Sequence, residues 1–333
     1  MMRYANIFAA GHRNNSQFSF VDSAHKYGST HLMRLLRDTF MNKGIEINTP
    51  DINIGKPISF EIYVEGQVLE KHSCSKYLLS LENPFINVMN ADLEYCKQFN
   101  QVFSWNPKLN DLSNHTLLMV PNELRILPFK EFDQRPIFST LINANKRFPK
   151  SIPGDLYEER LATIKWYESY HPEDFQLYGL GWEKPSPAFT KVGKLRRRID
   201  RLRSQLYGYK PFPSFHGSVE DKTSIFSVSK FAFCYENTKN LQNYITEKIF
   251  DAMMAGCVPI YWGADNVGEY IPKECFIDRR LFSDNSELYA FLKAIDAKRY
   301  LRYQESIQRF LQGPKMEIFD AKYYVNRLVN TIT

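Results

Sequence analysis

The sequence predicts an α/β protein of two doubly wound, Rossmann-like domains facing a cleft, and three observations predict it. Strand-like and helix-like patterns alternate up to Val120 and alternate again from Ile137 onward. Between the two series lies "PNELRILPFKEFDQRP" (121–136), which mixes Pro and charge with weak periodicity. A chain of 333 residues is also long enough for two hydrophobic cores of ordinary size. The expected division is 1–133, 134–312 and a helical tail over 313–333.

Each element has its own signal. "YANIFAA" is apolar and short, a strand. "STHLMRLLRDTFMNKG" places Leu32, Leu35, Leu36 and Phe40 on one helical face, with Ser29 or Thr30 as its cap and Gly44 as its end. "IEINTP", "SFEIYV", "KYLLSL" and "QVFSWN" follow as strands separated by turn residues. In the second series "IFSTLINA" is a strand and "NKRFPKSIPG" a loop. "DLYEERLATIKWYESY" is a helix whose Asp155 and Glu158 stand at capping-box spacing. "FQLYG" and "KFAFCY" are strands, "TEKIFDAMMAG" a helix and "CVPIYWG" a strand. No internal repeat or low-complexity tract interrupts them.

Composition excludes several classes. Apolar residues form 44% and charged residues 24%, which suits a globular chain rather than a disordered or membrane-spanning one. The start, "MMRYANIFAAGHRNNSQFSF", lacks the apolar core of a signal peptide, and no stretch reaches membrane-spanning length. Five scattered cysteines without a CxxC pair speak against a disulfide framework or a zinc site and for a reduced cytoplasm. Seven histidines include no HExxH, and no Asp-x-Asp occurs, so nucleotide binding through a divalent metal is not expected. The net charge of +6 is compatible with a polyanionic ligand or surface.

One segment stands apart. "KVGKLRRRIDRLRSQLYGYK" (191–210) has eight Lys/Arg against Asp200 alone, with Leu195, Ile199, Leu202 and Leu206 at helical spacing. It reads as a basic amphipathic helix, either an ordinary solvated surface helix or a binder of an anionic membrane surface or partner. No groove-reading motif accompanies the charge, so nucleic acid is not expected.

The chemistry concentrates in "FAFCYENTKNLQNYITEKIFDAMMAGCVPIYWG" (231–263). A strand ends at Glu236-Asn237, and ligands of open α/β sheets sit beyond the carboxyl ends of strands. Thr246 stands where it can cap the next helix, whose first turn offers free N–H groups, and Lys248 adds a charge suited to a diphosphate. Glu247 would repel phosphate but accept hydrogen bonds from a ribose diol. The plain alternative is a capped helix whose first-turn Glu complements the dipole.

These residues also resemble the signature of the α1,3/4-fucosyltransferases, glycosyltransferase family 10: a strand ending in Glu-Asn, then Tyr-Ile-Thr-Glu-Lys, then Val-Pro in a strand ending in Gly. The likeness extends through "FHGSVEDKTSIFSVSKF" and more loosely to the 155–170 helix and "LSLENPFI", covering most of 76–278. It implies a GT-B fold with an acceptor-side first domain and a donor-binding second, GDP-fucose as donor, inversion, no cofactor and no obligatory metal. Asn237, Tyr244, Glu247 and Lys248 map to donor contacts, with Glu236 and Thr246 beside them. Arg160, or Arg147 in the preceding loop, maps to the diphosphate-binding Arg, and Lys222 to a Lys before the signature strand. Glu82 maps to the catalytic carboxylate, with Glu236, Asp92 and Glu94 as fallbacks.

The resemblance further implies an oligosaccharide or lipid-linked glycan acceptor, with an α1,3-linkage to an N-acetylglucosamine- or glucose-type unit of a surface polysaccharide. A cytoplasmic enzyme, peripheral at the inner face of a membrane through 191–210, fits that picture. Plain alternatives stand beside these roles. Without the resemblance Glu82 reads as a turn residue before Asn83-Pro84, Arg160 as a partner of Glu158 or Glu159, and Tyr244 as packing; Trp262 is read as packing in either case. The long basic stretch over 181–215 departs from the compact loop usual before the signature. Rival readings are a GT-B transferase of another nucleotide-linked deoxysugar, or a non-catalytic surface binder that uses 191–210.

Overall fold

The computed structural model describes residues 2–19, 27–208 and 210–333. The side chains of Ser29, Arg196 and Arg201 lie outside the described residues. Its strands in chain order are β1 Arg3–Ala9, β2 Ile45–Asn48, β3 Ile58–Val64, β4 Ser75–Ser80, β5 Gln101–Ser104, β6 His115–Leu117, β7 Ile137–Ile142, β8 Phe175–Tyr178, β9 Ser229–Tyr235, β10 Val258–Trp262 and β11 Ile277–Asp278. The helices are α1 Tyr27–Met41, α2 Leu93–Cys96, α3 Leu156–Tyr170, α4 Lys191–Tyr207, α5 Lys222–Phe226, α6 Glu247–Met254, α7 Val267–Tyr270, α8 Asn285–Lys293, α9 Ala297–Leu311 and α10 Ala321–Ile332. The chain forms two compact units, one of 1–124, 242–247 and 316–333, the other of 125–241 and 248–315.

The first unit is built on a parallel six-stranded sheet in the order β2-β1-β3-β4-β5-β6. Side-chain alternation splits its core. Leu79, Phe60 and Ile62 face the layer of α1 and α10, where Leu32, Leu36 and Phe40 meet Tyr324, Val325 and Leu328. Leu78 and Tyr63 face the other layer with Tyr95, Phe99 and Val102. The α10 layer is anchored where Asn122 accepts from Ala321 N–H (2.9 Å) and donates to Phe319 C=O (2.8 Å). Helix α1 is already formed at Tyr27, where the described stretch starts, so Thr30 is a buried residue inside it rather than its cap. Gly44, at φ +72°, ends the turn that follows, a conformation side chains resist.

The second unit is a parallel five-stranded sheet in the order β11-β10-β9-β7-β8. The chain steps outward from β7 to β8 and then returns past β7 to β9, β10 and β11. The switch therefore falls between β7 and β9, and the loop after β9 lies at that crevice. Arg135, 1% exposed, ties the opposite end together, donating to the carbonyls of Lys130, Phe226, Ser229 and Ala255. Gly256 packs there at φ +68°, where a Cβ would meet the Phe129 ring at 2.5 Å and the Arg135 guanidinium at 2.8 Å.

Asp155 caps α3 by accepting from Tyr157 N–H (2.8 Å), but Glu158 does not complete the expected box in the bonds of this cap: its carboxylate pairs with Arg147. Strands β6 and β11 have three and two residues, too few to show periodicity in the sequence. Among the described residues no helix is long and apolar enough to cross a membrane.

Candidate active site

In the second unit the carboxyl end of β9 is gripped from α3. Arg160 donates to the carbonyls of Tyr235 (2.6 Å) and Glu236 (2.8 Å) and to Asn237 Oδ1 (3.3 Å). Only 3% of it is exposed, and it lies over the ring of Tyr157, one turn earlier on α3. The guanidinium thus fixes the strand end and orients the Asn237 amide.

Glu236 is fully buried, and its carboxylate accepts from Lys248 Nζ at 3.0 Å, on the first turn of α6. A buried carboxylate needs such a partner, because desolvation otherwise outweighs what it gains. One turn on, Asp251 accepts from Lys222 Nζ at 2.8 Å. The structure therefore brings Arg160, Glu236, Asn237 and Lys248 into one constellation and sets Lys222 against the same helix. Arg147 stands apart from it on Glu158.

The rest of the predicted set falls in the first unit, whose composition includes 242–247. Tyr244, 2% exposed, donates its hydroxyl to Glu82 Oε1 at 2.7 Å. Its ring packs on Trp105 at 4.7 Å, and Asn243, at φ +67°, donates to Trp105 C=O. Trp105 in turn donates Nε1–H to Leu81 C=O at 2.8 Å, beside Glu82. Glu82 Oε1 also accepts from Asn83 N–H (2.8 Å) and Asn83 Nδ2 (3.1 Å), which fixes the plane of the carboxylate. Thr246 is buried and Glu247 opens α6. Asp92 caps α2 through Tyr95 N–H and Glu94 pairs with Lys97, so both act locally.

Glu65 was not anticipated. It follows β3 directly, with φ +64° although it is not glycine. Its carboxylate accepts from the backbone N–H groups of Leu81 (3.2 Å) and Glu82 (3.1 and 3.2 Å) and from Asn90 Nδ2. Burial pushes its carboxyl up to about 7, against the pull of those hydrogen bonds. Sheet order places it at the switch of the first sheet, since β1 is flanked by β2 and β3. The signal was present: "SFEIYV" is a third strand followed at once by a Glu.

Among the described residues no group of three or more His, Cys, Asp or Glu side chains is arranged to hold a metal ion.

Comparison with known proteins bears on this arrangement. The sequence model of glycosyltransferase family 10 (fucosyltransferase), C-terminal part, matches residues 192–317. The 4-galactosyl-N-acetylglucosaminide 3-α-L-fucosyltransferase 9 of Mus musculus is 40% identical over 96 residues, 27% of this chain and 26% of its own. The α-(1,3)-fucosyltransferase of Helicobacter pylori is 32% identical over 108 residues, 32% of this chain and 21% of its own. The chain thus matches about a quarter or less of the length of these relatives. The crystal structure of an α1,3-fucosyltransferase with GDP-fucose superposes with a TM-score of 0.52 at 15% identity, covering 99% of this chain and 90% of that one. With two parallel-sheet α/β units, that likeness gives the fold as GT-B.

Proposed function

We propose that this chain, whose residues 192–317 match the model of glycosyltransferase family 10, is a fucosyltransferase moving L-fucose from GDP-fucose to a hydroxyl of a glycan acceptor. The observation behind this reading is the cluster of Arg160, Glu236, Asn237 and Lys248 at the switch end of β9, inside or beside the matched region. The named activity of the relatives and the GDP-fucose bound to the structural neighbour support the donor.

Direct inversion needs a leaving group whose growing charge is neutralised and a base for the acceptor hydroxyl. Lys248, Arg160 and the first turn of α6 serve the departing GDP. Glu236 holds the Lys248 ammonium in place, and Glu247 meets the ribose hydroxyls. Glu82 takes the acceptor's proton. Three donors fall on its Oε1, so Oε2 is the oxygen assigned to that transfer. Tyr244 steadies the base and Glu65 holds the backbone that presents it.

The finer reading is an α1,3-linkage on an N-acetylglucosamine- or glucose-type unit, without an obligatory metal, in keeping with a sequence that has no Asp-x-Asp. The test is release of GDP from GDP-fucose across a panel of glycan acceptors, with the product's anomeric configuration read by NMR. Turnover with another nucleotide sugar and none with GDP-fucose would overturn it.

A second observation favours attachment to an anionic membrane surface. Val192, Leu195, Ile199, Leu202 and Leu206 on α4 are 79, 61, 44, 50 and 71% exposed. Exposed Lys191, Lys194, Arg198 and Arg203 share the helix. An apolar stripe with basic flanks suits the headgroup region of anionic lipid, whereas like charge opposes pairing with a second copy. A lipid-linked acceptor would be met there, and five free cysteines suit a reducing compartment on that side.

A further inference from the structure

Strand pairing along β4 ends at Ser80, so the next two residues, Leu81 and the candidate base Glu82, lie beyond the ladder. Side chains meet their four backbone groups instead. Leu81 N–H and Glu82 N–H donate to the Glu65 carboxylate at 3.2 and 3.1 Å. Leu81 C=O accepts from Trp105 Nε1–H at 2.8 Å, and Glu82 C=O accepts from Asn90 Nδ2 at 2.9 Å.

Asn90 is the member of this set that no other residue type replaces. It is 1% exposed and sits in the short turn 88–91. Its Nδ2 donates both to Glu82 C=O and to Glu65 Oε2, while its Oδ1 accepts from Gly66 N–H at 2.8 Å. An amide carries two such donors and an acceptor on one planar group, and all are used. Leucine would leave Gly66 N–H and Glu82 C=O without these partners, and aspartate would set a second carboxylate against Glu65. The turn itself rests on the end of β3: Asn87 Nδ2 donates to Gly66 C=O at 2.8 Å, and a Cβ on Gly66 would meet Met89 Cβ at 2.4 Å. Asn90 therefore ties the loop after β3 to the loop after β4 at the residue that carries the base.

Resting on the reading of Glu82 as the base, we propose that Asn90 is a positioning residue of the reaction, acting through the main chain of Glu82. Two kinds of contact divide the work. Asn83 N–H and Nδ2 hold the Glu82 carboxylate against its own loop. Glu65 and Asn90 hold that loop on the sheet, and so set where Oε2 stands. Misplacing a reacting group by about 1 Å can cost on the order of a hundredfold in rate. Asn90 belongs to the first unit, while Arg160, Asn237 and Lys248 belong to the second. Its role therefore predicts a loss of turnover with donor affinity intact.

The test is turnover of GDP-fucose with a glycan acceptor by the full chain, beside calorimetry with GDP and thermal melts. The variants are Asn90→Ala, Asn90→Asp, Asn87→Ala, Glu82→Gln, and Asn90→Ala combined with Glu82→Gln. Each Asn90 variant should lose about tenfold or more in kcat, with GDP affinity within about twofold of wild type. Asn87→Ala loosens the same turn without removing a contact to Glu82, so its melting temperature should fall while kcat stays within about twofold. In the Glu82→Gln background Asn90→Ala should cost less than about threefold, because the group it positions is already gone. Wild-type kcat in a folded Asn90 variant, an undiminished loss in the Glu82→Gln background, an equal loss in Asn87→Ala, or a parallel loss of GDP affinity overturns the proposal. Failure of both Asn90 variants to fold also overturns it and makes Asn90 a core residue alone. Normal turnover of Glu82→Gln overturns the base reading, and this one with it.

Discussion

Glu65 places a carboxyl group inside the first unit, where α10 brings the Tyr324 hydroxyl toward it and Glu82 lies close by. Its folded value of about 7 stands above the ordinary 4.5. Below the lower value both folded and unfolded chains hold the proton. Between the two, the unfolded chain releases it while the folded chain keeps it, so stability should fall as pH rises through that window and level off above it. The contribution is on the order of 3 kcal/mol. Denaturant titrations at several pH values should show that slope in the wild type and its loss in Glu65→Gln; parallel curves would refute the assignment.

Lys248 and Glu236 call for a paired experiment. Lys248→Ala takes the ammonium away from a fully buried carboxylate, so it should cost about 3 kcal/mol of stability as well as GDP affinity. Adding Glu236→Gln should recover most of the stability and none of the affinity. If affinity returns too, Lys248 is a partner of Glu236 and nothing more. For Glu82, replacement by Gln keeps the shape and the Tyr244 contact while removing the proton acceptor. Turnover should drop roughly 100-fold with GDP affinity nearly unchanged, and normal turnover would return Glu82 to the role of a turn residue.

At the scale of the element, α4 and α6 show how differently two amphipathic helices can end up. Ile249, Phe250 and Met253 of α6 are fully buried, whereas the apolar stripe of α4 stays in solvent. Thr190 caps α4 through Gly193 N–H and Gly208, at φ +64°, closes it, so local sequence alone defines its ends. If the stripe meets lipid, vesicles rich in anionic lipid should retain the protein, less so as salt rises. Replacing Lys194, Arg197 and Arg198 with Gln, or Leu195, Ile199 and Leu202 with Ser, should release it while turnover on a soluble acceptor survives. Equal retention of both variants would make α4 an ordinary surface helix.

For the whole molecule, a donor held by protein groups alone makes a thermodynamic prediction. GDP should raise the melting temperature with increasing concentration, because a ligand bound only by the folded state adds about 2.7 kcal/mol at a hundred times its dissociation constant. EDTA should leave that rise intact. Loss of the rise in EDTA, restored by manganese, would sink the metal-free reading.

Much of this was legible along the chain. The alternation of strand and helix, the face of α1 bearing Leu32, Leu36 and Phe40, and the Glu-Asn end of β9 are local patterns, set by periodicity and by the residues that end an element. Local pattern also marked α4 as basic and amphipathic. What it does not encode is which partner a given face finds. That Arg160 reaches the carbonyls at the end of β9, that Tyr244 bonds Glu82 across 162 positions, and that α10 packs on the sheet of the first unit all depend on contacts distant in sequence. The same holds for Glu65, whose strand-end position was visible but whose burial and grip on Leu81 and Glu82 were not. Side chains of such buried charges choose partners by where desolvation leaves them no water, and only the folded chain determines that.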